Sequence, residues 1–168
     1  MTMARTVRRT ILICGEGKSE EALFLYLRAL YTSGLENSPK VTPKKAGGKG
    51  GNNVICTLIG QAACGRYDRL VACLDMDAPP NAERRREAKR KKVTFIELSP
   101  CLEGFLLEIL GIQALADSTE CKRRLKQIDP RDPYDPGFFN DNFPKELLDA
   151  RRAEVAELNK LLCVYTGE

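Results

Sequence analysis

The residues of this sequence best suited to chemistry are carboxylates that come shortly after apolar, strand-like runs. They are Glu16, Asp75, Asp77 and Glu103. The chain contains no histidine, which excludes hydrolases and nucleases that use imidazole as a base or as a metal ligand. A site that depends on carboxylates and water selects hard divalent cations such as Mg²⁺ or Mn²⁺. The sequence therefore indicates metal-dependent chemistry without histidine.

The stretch around Glu16, ILICGEGKSEE at residues 11–21, has a second possible meaning. The residues Gly-Lys-Ser at 17–19 look like the end of a phosphate-binding P-loop. That loop also requires a glycine five positions before its last glycine, and Leu12 occupies this position. The carboxylate of Glu16 would also repel the phosphates. The stretch therefore does not predict a P-loop.

Strands that alternate with helices must position the carboxylates. The apolar runs at residues 9–14 and 69–74 are typical of strands covered on both faces. A further strand is expected over residues 93–98, and a short one around Val41. Helices are expected over 19–32, from Asn52 or Asn53 (as the cap) to Gly65, along the basic stretch after Pro79 and Pro80, and after Ser99-Pro100. The alternation predicts an α/β fold with a parallel sheet flanked by helices.

The C-terminal third has a different pattern. A polar helix at about 118–127 precedes the proline- and aspartate-rich stretch DPRDPYDPGFFNDNFP, which we expect to be a loop, and a last helix runs from about Pro144 to Leu162. We therefore divide the chain into an α/β domain over residues 1–115 and a mostly helical extension over residues 116–168 that packs on it.

The predicted sheet brings the carboxylates together. In a parallel sheet the carboxyl ends of the strands share one edge, where ligand sites form. Asp75 and Asp77, two positions apart in an extended chain, point to the same side. Glu20 lies in the first turn of the helix after Glu16, where the helix dipole alone also favours an acid. For Glu20 and Glu103, a helix-start role and a role in the site both remain open.

Basic residues are concentrated in two places. Residues 83–92 hold seven basic and two acidic residues, a local charge of +5 within a total of +4, so that the rest of the chain sums to −1. A second cluster surrounds the loop at residues 40–49. Such clusters fit a polyanion, although a solvated helix face gives the same pattern. The residues expected to contact nucleic acid are Lys45, Lys49, Arg84, Arg85, Lys89 and Arg90.

Cysteine usage and hydropathy indicate the compartment. None of the seven cysteines forms a Cys-x-x-Cys pair, and we expect reduced, mostly buried thiols. The longest apolar stretches have five or six residues, too short for a membrane span, and the apolar run behind the basic start is too short for a signal peptide. We therefore expect a cytoplasmic protein without a membrane partner.

Three strings, taken in order, resemble a known family. They are ICGEGKSEEALF, LVACLDMDAP and FIELSPCLEGFLLEI, within residues 9–110. They resemble the Toprim domain of topoisomerases, DnaG-type primases and OLD-family nucleases, and most of all the RloB-like family, with its CEGKTE, Asp-x-Asp and SNPCFE boxes. Gly15 stands in place of the first cysteine, Leu98-Ser99 in place of Ser-Asn, and Leu102 in place of the phenylalanine. The histidine expected after the third box is missing.

The resemblance implies a Toprim-like, Rossmann-like sheet and action on the phosphodiesters of DNA or RNA. It also implies a setting of bacterial defence against phage or mobile elements, in which a partner protein can take part. Bound metal ions would activate water and stabilise the leaving oxygen, while Lys18 or a lysine of the 45–49 loop could neutralise charge on the phosphate. The implied ligands of Mg²⁺ or Mn²⁺ are Glu16, Asp75 and Asp77, with Glu20 as a further ligand and Glu103 as a further member of the site.

Two other functions are considered beside a nuclease or nickase. A non-catalytic Toprim module that binds nucleic acid within a larger complex would retain the same residues. A signalling receiver domain would use Asp75 as its phosphorylated aspartate and Ser99 as the hydroxyl partner. The receiver would also need paired acids after the first strand and a Lys-Pro after a fifth strand, and the sequence shows neither.

Overall fold

The computed structural model describes residues 7–113 and 115–168, which form four strands and eight helices. The strands are β1 (Thr10–Gly15), β2 (Lys40–Lys45), β3 (Arg69–Asp75) and β4 (Thr94–Leu98). The helices are α1 (Lys18–Thr32), α2 (Gly50–Ala63), α3 (Ala82–Arg90), α4 (Leu102–Ile109), α5 (Ser118–Ile128), α6 (Phe138–Asn142), α7 (Lys145–Arg151) and α8 (Ala156–Thr166). The predicted α/β class is confirmed.

The four strands form one parallel sheet in the order β2-β1-β3-β4. The chain leaves β1 for β2 on one side and then crosses back to β3 and β4 on the other side. The strand order therefore reverses between β1 and β3, the two central strands. In open parallel sheets, ligands bind outside the carboxyl ends of the strands at such a switch point.

Both faces of the sheet are covered by helices. Side chains alternate along each strand, so that each strand contributes to a core on either face. Ile11 and Ile13 of β1 belong to a large core with α1, α4 and the C-terminal helices. Leu12 and Cys14 belong to a smaller core with α2 and α3. The buried apolar runs in the sequence follow from this double covering.

The C-terminal helices share the larger core with the sheet. α8 packs on α1 and β4, and the hydroxyl of Tyr165 donates to the carbonyl of Phe24 at 3.0 Å. The rings of Phe138, Phe139 and Phe143 form a cluster against Tyr26 of α1. Apolar residues at both ends of the C-terminal part thus bury the outer side of α1.

Two predicted segments of this part differ in the structure. The expected loop after α5 contains the short helix α6, because its phenylalanines are buried. The single helix expected over 144–162 is two helices, α7 and α8, separated by a turn in which Val155 enters the core. The guanidinium of Arg151 donates to the carbonyls of Glu108 and Ile109 and fixes the end of α7 against α4.

Two further observations concern the described residues as a whole. All seven cysteines are free, and four of them are buried. Among the helices over residues 7–113 and 115–168, none combines the length and the apolar character that a membrane crossing requires.

Candidate active site

The turn between β1 and α1 carries Glu16 and Glu20. Glu16 is half-buried, and its carbonyl accepts hydrogen bonds from the N–H groups of Gly47 and Gly48 at 3.0 and 2.9 Å. Glu20 is only 6% exposed, and its carboxylate accepts the N–H of Gly17 at 3.0 Å. Glu20 thus caps the start of α1 and also presents its carboxylate to the edge of the sheet.

Gly15 allows this arrangement because it has no side chain. A Cβ atom at this position would lie 2.5 Å from Cβ of Glu20 and 3.0 Å from the ring of Phe24. Any other residue would push α1 away from the end of β1. Glycine at position 15 therefore accompanies a very close approach of Glu20 to the strand.

A glycine-rich loop, residues 46–50, lies beside Glu16. Gly47, Gly48, Lys49 and Gly50 all have positive φ angles, a conformation that glycine adopts without strain. The side-chain amide of Asn53 donates to the carbonyls of Ala46 and Gly48 at 2.9 Å. The loop is therefore held in one conformation over the end of β1.

The predicted cap of α2 is wrong. The helix begins at Gly50, and Lys49 in the left-handed region is its N-cap. Asn53 instead stabilises the glycine-rich loop, and the side chain of Asn52 accepts the N–H of Asn81. A residue type that can cap a helix can equally bind a neighbouring loop, which local sequence does not reveal.

Asp75 and Asp77 point to different surroundings. Asp75 is the last residue of β3 and lines a cavity at the sheet edge. The chain turns directly after it, with the N–H of Ala78 donating to the carbonyl of Asp75, so the alternation expected through Asp77 is lost. Asp77 is exposed, its carboxylate accepts the hydroxyl of Ser118, and it does not line the cavity.

The cavity at the switch point has a volume of about 340 Å³. It collects the carboxylates that follow three different strands, together with two lysines and one tyrosine. Ser99, the hydroxyl partner that a receiver domain would need, is not among the residues that line it. The charged and aromatic side chains in its lining are Glu16, Glu20, Asp75, Glu103, Lys18, Lys122 and Tyr134.

The pKa of Asp75 shows how crowded this site is. Burial and the surrounding carboxylates raise its pKa to about 8, with Glu20, Glu16, Asp77 and Glu103 contributing in that order. The pKa of Glu20 is also raised, mainly by burial, although its hydrogen bonds with backbone N–H groups oppose the shift. Over the described ranges of the chain, no lysine or arginine forms an ion pair with the carboxylates lining the cavity.

The carboxylates agree with Mg²⁺ or Mn²⁺ in chemistry and charge, but not in their present arrangement. Hard cations prefer oxygen ligands, and the pKa of Asp75 is raised by burial and by neighbouring negative charge that a cation would neutralise. However, within residues 7–113 and 115–168 no group of three or more acidic, cysteine or histidine side chains is close enough to hold an ion. Metal binding would require these side chains to rotate towards one another.

Two residues of the cavity were missed in the sequence. Lys122 comes from α5, and Tyr134 comes from the proline- and aspartate-rich loop between α5 and α6. The ammonium of Lys18 lies 5.7 Å from the centre of the Tyr134 ring. The only local signal for Tyr134 is an aromatic residue within the polar string DPYDP, and nothing in the sequence distinguishes Lys122 from other lysines of its helix.

The predicted nucleic-acid residues fall into two groups. Lys45, Arg84 and Arg85 form ion pairs of 2.7–2.9 Å with Glu21, Glu87 and Glu97, respectively. Lys49, Lys89 and Arg90 are exposed, and no ion pair with the described part of the chain engages them. Lys89 and Arg90 lie at the C-terminal end of α3, about 11 Å along the helix axis from its first residue, Ala82.

The fold and the cavity together define a class of protein: a parallel α/β sheet with an acidic cavity at its topological switch point. Comparison of the chain with protein-family models, curated proteins and solved structures finds no match.

Proposed function

We propose that the protein is a metal-dependent phosphodiesterase that cleaves DNA or RNA at the acidic cavity. The observation that supports this proposal best is the environment of Asp75. Burial, together with four nearby carboxylates, raises its pKa to about 8, at the place in the fold where ligands of parallel sheets bind. Structural carboxylates normally gain a cation or hydrogen bonds on folding, whereas perturbed groups in clefts are typical of functional sites.

The residues of the cavity have separate tasks in this proposal. Glu16 and Asp75, which follow the two central strands, would hold Mg²⁺ or Mn²⁺, with Glu103 and Glu20 adding further oxygen ligands. When bound, the metal would supply an activated water and stabilise the leaving oxygen. Lys18 and Lys122 bring positive charge to the lining of the cavity, where they can bind phosphate oxygens.

The sequence boxes add a biological setting to the proposal. Glu16, Asp75 and Glu103 occupy the acidic positions of the three strings that resemble the RloB-like Toprim family. That resemblance supports action on nucleic acid in defence against phage or mobile elements, with a partner protein as a possible component. Asp77 remains part of the proposal as a residue that turns inward when metal binds, since its present partner is a single serine hydroxyl.

The test compares the wild-type chain with Asp75→Asn and with Glu108→Gln. Glu108 is exposed on α4, outside the cavity, and its substitution likewise replaces a carboxylic acid by its amide. Each protein is incubated with single- and double-stranded DNA and RNA in Mg²⁺ or Mn²⁺. We expect the wild type and Glu108→Gln to cleave and Asp75→Asn to lose activity by orders of magnitude. No cleavage by the wild type, or equal cleavage by Asp75→Asn, would overturn the proposal.

A second candidate is a nucleic-acid-binding module without catalysis. It is favoured by the separation of the carboxylates, no three of which converge among the described residues, and by the exposed basic residues of α3. This candidate predicts salt-dependent binding without cleavage by the wild type, and the same binding by Asp75→Asn. The incubation above, followed by a binding measurement on the same samples, separates the two functions.

A further inference from the structure

Tyr134 is an exposed aromatic residue at an otherwise charged cavity. Tyr134 is 49% exposed and lines the same cavity as Glu16, Asp75 and Lys122. Among the described residues in that lining it is the one aromatic. A large ring that is left half in water at a polar site has a face available for a flat ligand group.

The loop that carries Tyr134 is held by a network of charged residues. The guanidinium of Arg131 binds Asp129 at 2.6 Å and Asp141 at 2.9 Å, and the hydrogen bonds from Arg131 lower the pKa of Asp129 well below its usual range. The N–H of Asp132 donates to Asp135 at 2.7 Å. The hydroxyl of Tyr134 itself donates to Asp132 at 3.0 Å. The ring is therefore fixed at its far end, so that stacking costs little additional side-chain entropy.

Positive charge lies close to the ring. The ammonium of Lys18 is 5.7 Å from the ring centre, and Lys122 lines the same cavity from α5. An aromatic face beside two lysines is the combination with which proteins bind single-stranded nucleic acid: the base stacks on the ring and the adjacent phosphate binds the cations. In a duplex the bases are paired and stacked inside, and the ring could not reach a base face without unpairing one.

We infer that Tyr134 stacks on a base next to the scissile phosphate and that the substrate of the cavity is single-stranded nucleic acid. This inference rests on the proposed function, because it takes the acidic cavity as the place of cleavage. Lys18 and Lys122 bind the backbone on both sides of that base. Asp132 positions the ring through its hydroxyl, and phenylalanine at position 134 would lack this hydrogen bond while retaining the stacking face.

The test measures binding separately from cleavage. Full-length Asp75→Asn protein in Mg²⁺ is titrated against three fluorescein-labelled probes: an oligothymidylate, a chain of the same length built from abasic units, and a duplex of that length. Fluorescence anisotropy gives each affinity. Tyr134→Ala in this background should weaken oligothymidylate binding about tenfold, whereas Tyr134→Phe should weaken it less than twofold. Neither substitution should change binding of the abasic chain or of the duplex.

The lysines provide the matched control. Lys18→Gln and Lys122→Gln should weaken oligothymidylate and abasic chain equally, and each should lower the slope of log affinity against log salt by about 0.7. The inference is overturned if Tyr134→Ala binds both single-stranded probes as before, if it weakens both equally, or if the unsubstituted background prefers the duplex. Failure of cleavage with a Tyr134-dependent preference for bases would overturn the proposed function, and with it the scissile phosphate, but would support the stacking of a single-stranded base on Tyr134. Asp75-dependent cleavage without that preference would support the proposed function and overturn this inference.

Discussion

Two aspartates of this protein show how strongly position determines acidity. Asp68, before β3, is exposed and accepts the N–H and the hydroxyl of Thr10, and these hydrogen bonds lower its pKa. Burial and neighbouring carboxylates raise the pKa of Asp75, at the other end of the same strand, to about 8. The pKa of an aspartate is thus shifted in opposite directions at the two ends of β3. Of these two aspartates, only the one at the switch point carries a destabilising charge.

The raised pKa of Asp75 predicts how stability depends on pH when metal is removed by EDTA. The pKa is 3.8 in the unfolded reference and about 8 in the folded chain, so the folded state binds more protons between these values. The contribution of Asp75 to stability is therefore full below about pH 4 and is lost as pH rises through 8. We expect Asp75→Asn to be more stable than the wild type above pH 8 and to show a weaker decline with pH. Urea unfolding across this range measures both, and Glu108→Gln should retain the wild-type decline.

Metal binding should respond to the same proton. Because Mn²⁺ must displace the proton of Asp75, affinity should rise with pH up to about 8 and then level off, with protons released below that pH. Calorimetric titration in buffers of different ionisation enthalpy counts the protons. A pH-independent affinity would show that Asp75 does not bind the metal.

The variant Glu20→Ala tests for a second metal ion. If two ions act, this variant should leave one ion bound and slow cleavage by orders of magnitude.

At the scale of elements, Gly51 and Gly60 of α2 have opposite surroundings. The N–H of Gly51 donates to the carbonyl of Ala78, and a Cβ on Gly51 would lie 2.5 Å from Cδ of Pro80. A Cβ on Gly60 would meet no atom within 4 Å. Gly51→Ala should therefore cost about 1–3 kcal/mol through overpacking, whereas Gly60→Ala should stabilise by about 0.5–1 kcal/mol through helix propensity.

Urea unfolding of both variants makes the comparison within one helix. Gly51→Ala should also weaken Mn²⁺ binding, because Gly51 joins the glycine-rich loop to the turn that follows Asp75. Equal stability of the two variants would show that the segment at Pro80 adjusts to the added methyl group. The contact between Gly51 and Pro80 would then not position the site.

The basic helix α3 divides into a structural and an exposed part. Arg85 pairs with Glu97 at 2.8 Å and lies 5.6 Å from the centre of the Phe95 ring, so Arg85→Gln should cost about 1 kcal/mol of stability. Lys89→Gln with Arg90→Gln should leave stability unchanged and lower the salt slope of nucleic-acid binding by about 0.7–0.9 for each phosphate that is no longer neutralised. Anisotropy titrations over a range of salt concentrations measure the slope. An unchanged slope would indicate that this part of α3 is only a solvated face.

The elements near the sheet could be predicted from the sequence, and their ends could not. Apolar runs identify β1 and β3 because both faces of the sheet are covered there. The end of β3 depends on a turn that starts at Asp75, and no residue type there distinguishes a turn from two more extended positions. The alternation therefore predicts that Asp77 points with Asp75, whereas the structure places Asp77 against Ser118.

At the scale of the whole molecule, part of the site comes from distant sequence. The acids after the strands could be expected to converge, because parallel strands end at one edge. Lys122 and Tyr134 reach the same cavity only because the C-terminal helices return to the sheet. Their contribution depends on packing between α5 and α4 and on the network around Arg131, which no local pattern in the sequence contains.

The return of the C-terminal helices also predicts that the first part of the chain does not fold by itself. A chain that ends at residue 115 would expose Phe24 and Ile96, which are fully buried in the larger core, and would lose the hydrogen bond from Tyr165 to Phe24. We expect this shortened chain to bind the dye ANS and to melt without a cooperative transition, as partly folded states do. Circular dichroism during heating measures the transition.

The matched control is Leu158→Ala in the complete chain. Leu158 is 1% exposed in α8, and its truncation should cost about 2–5 kcal/mol and leave unfolding cooperative. If the shortened chain melts cooperatively and binds no ANS, residues 116–168 are an appendage and the sheet is complete without them. If it does not, the helices that carry Lys122 and Tyr134 to the cavity are also required for the fold, and loss of activity after their removal would not by itself assign them a catalytic role.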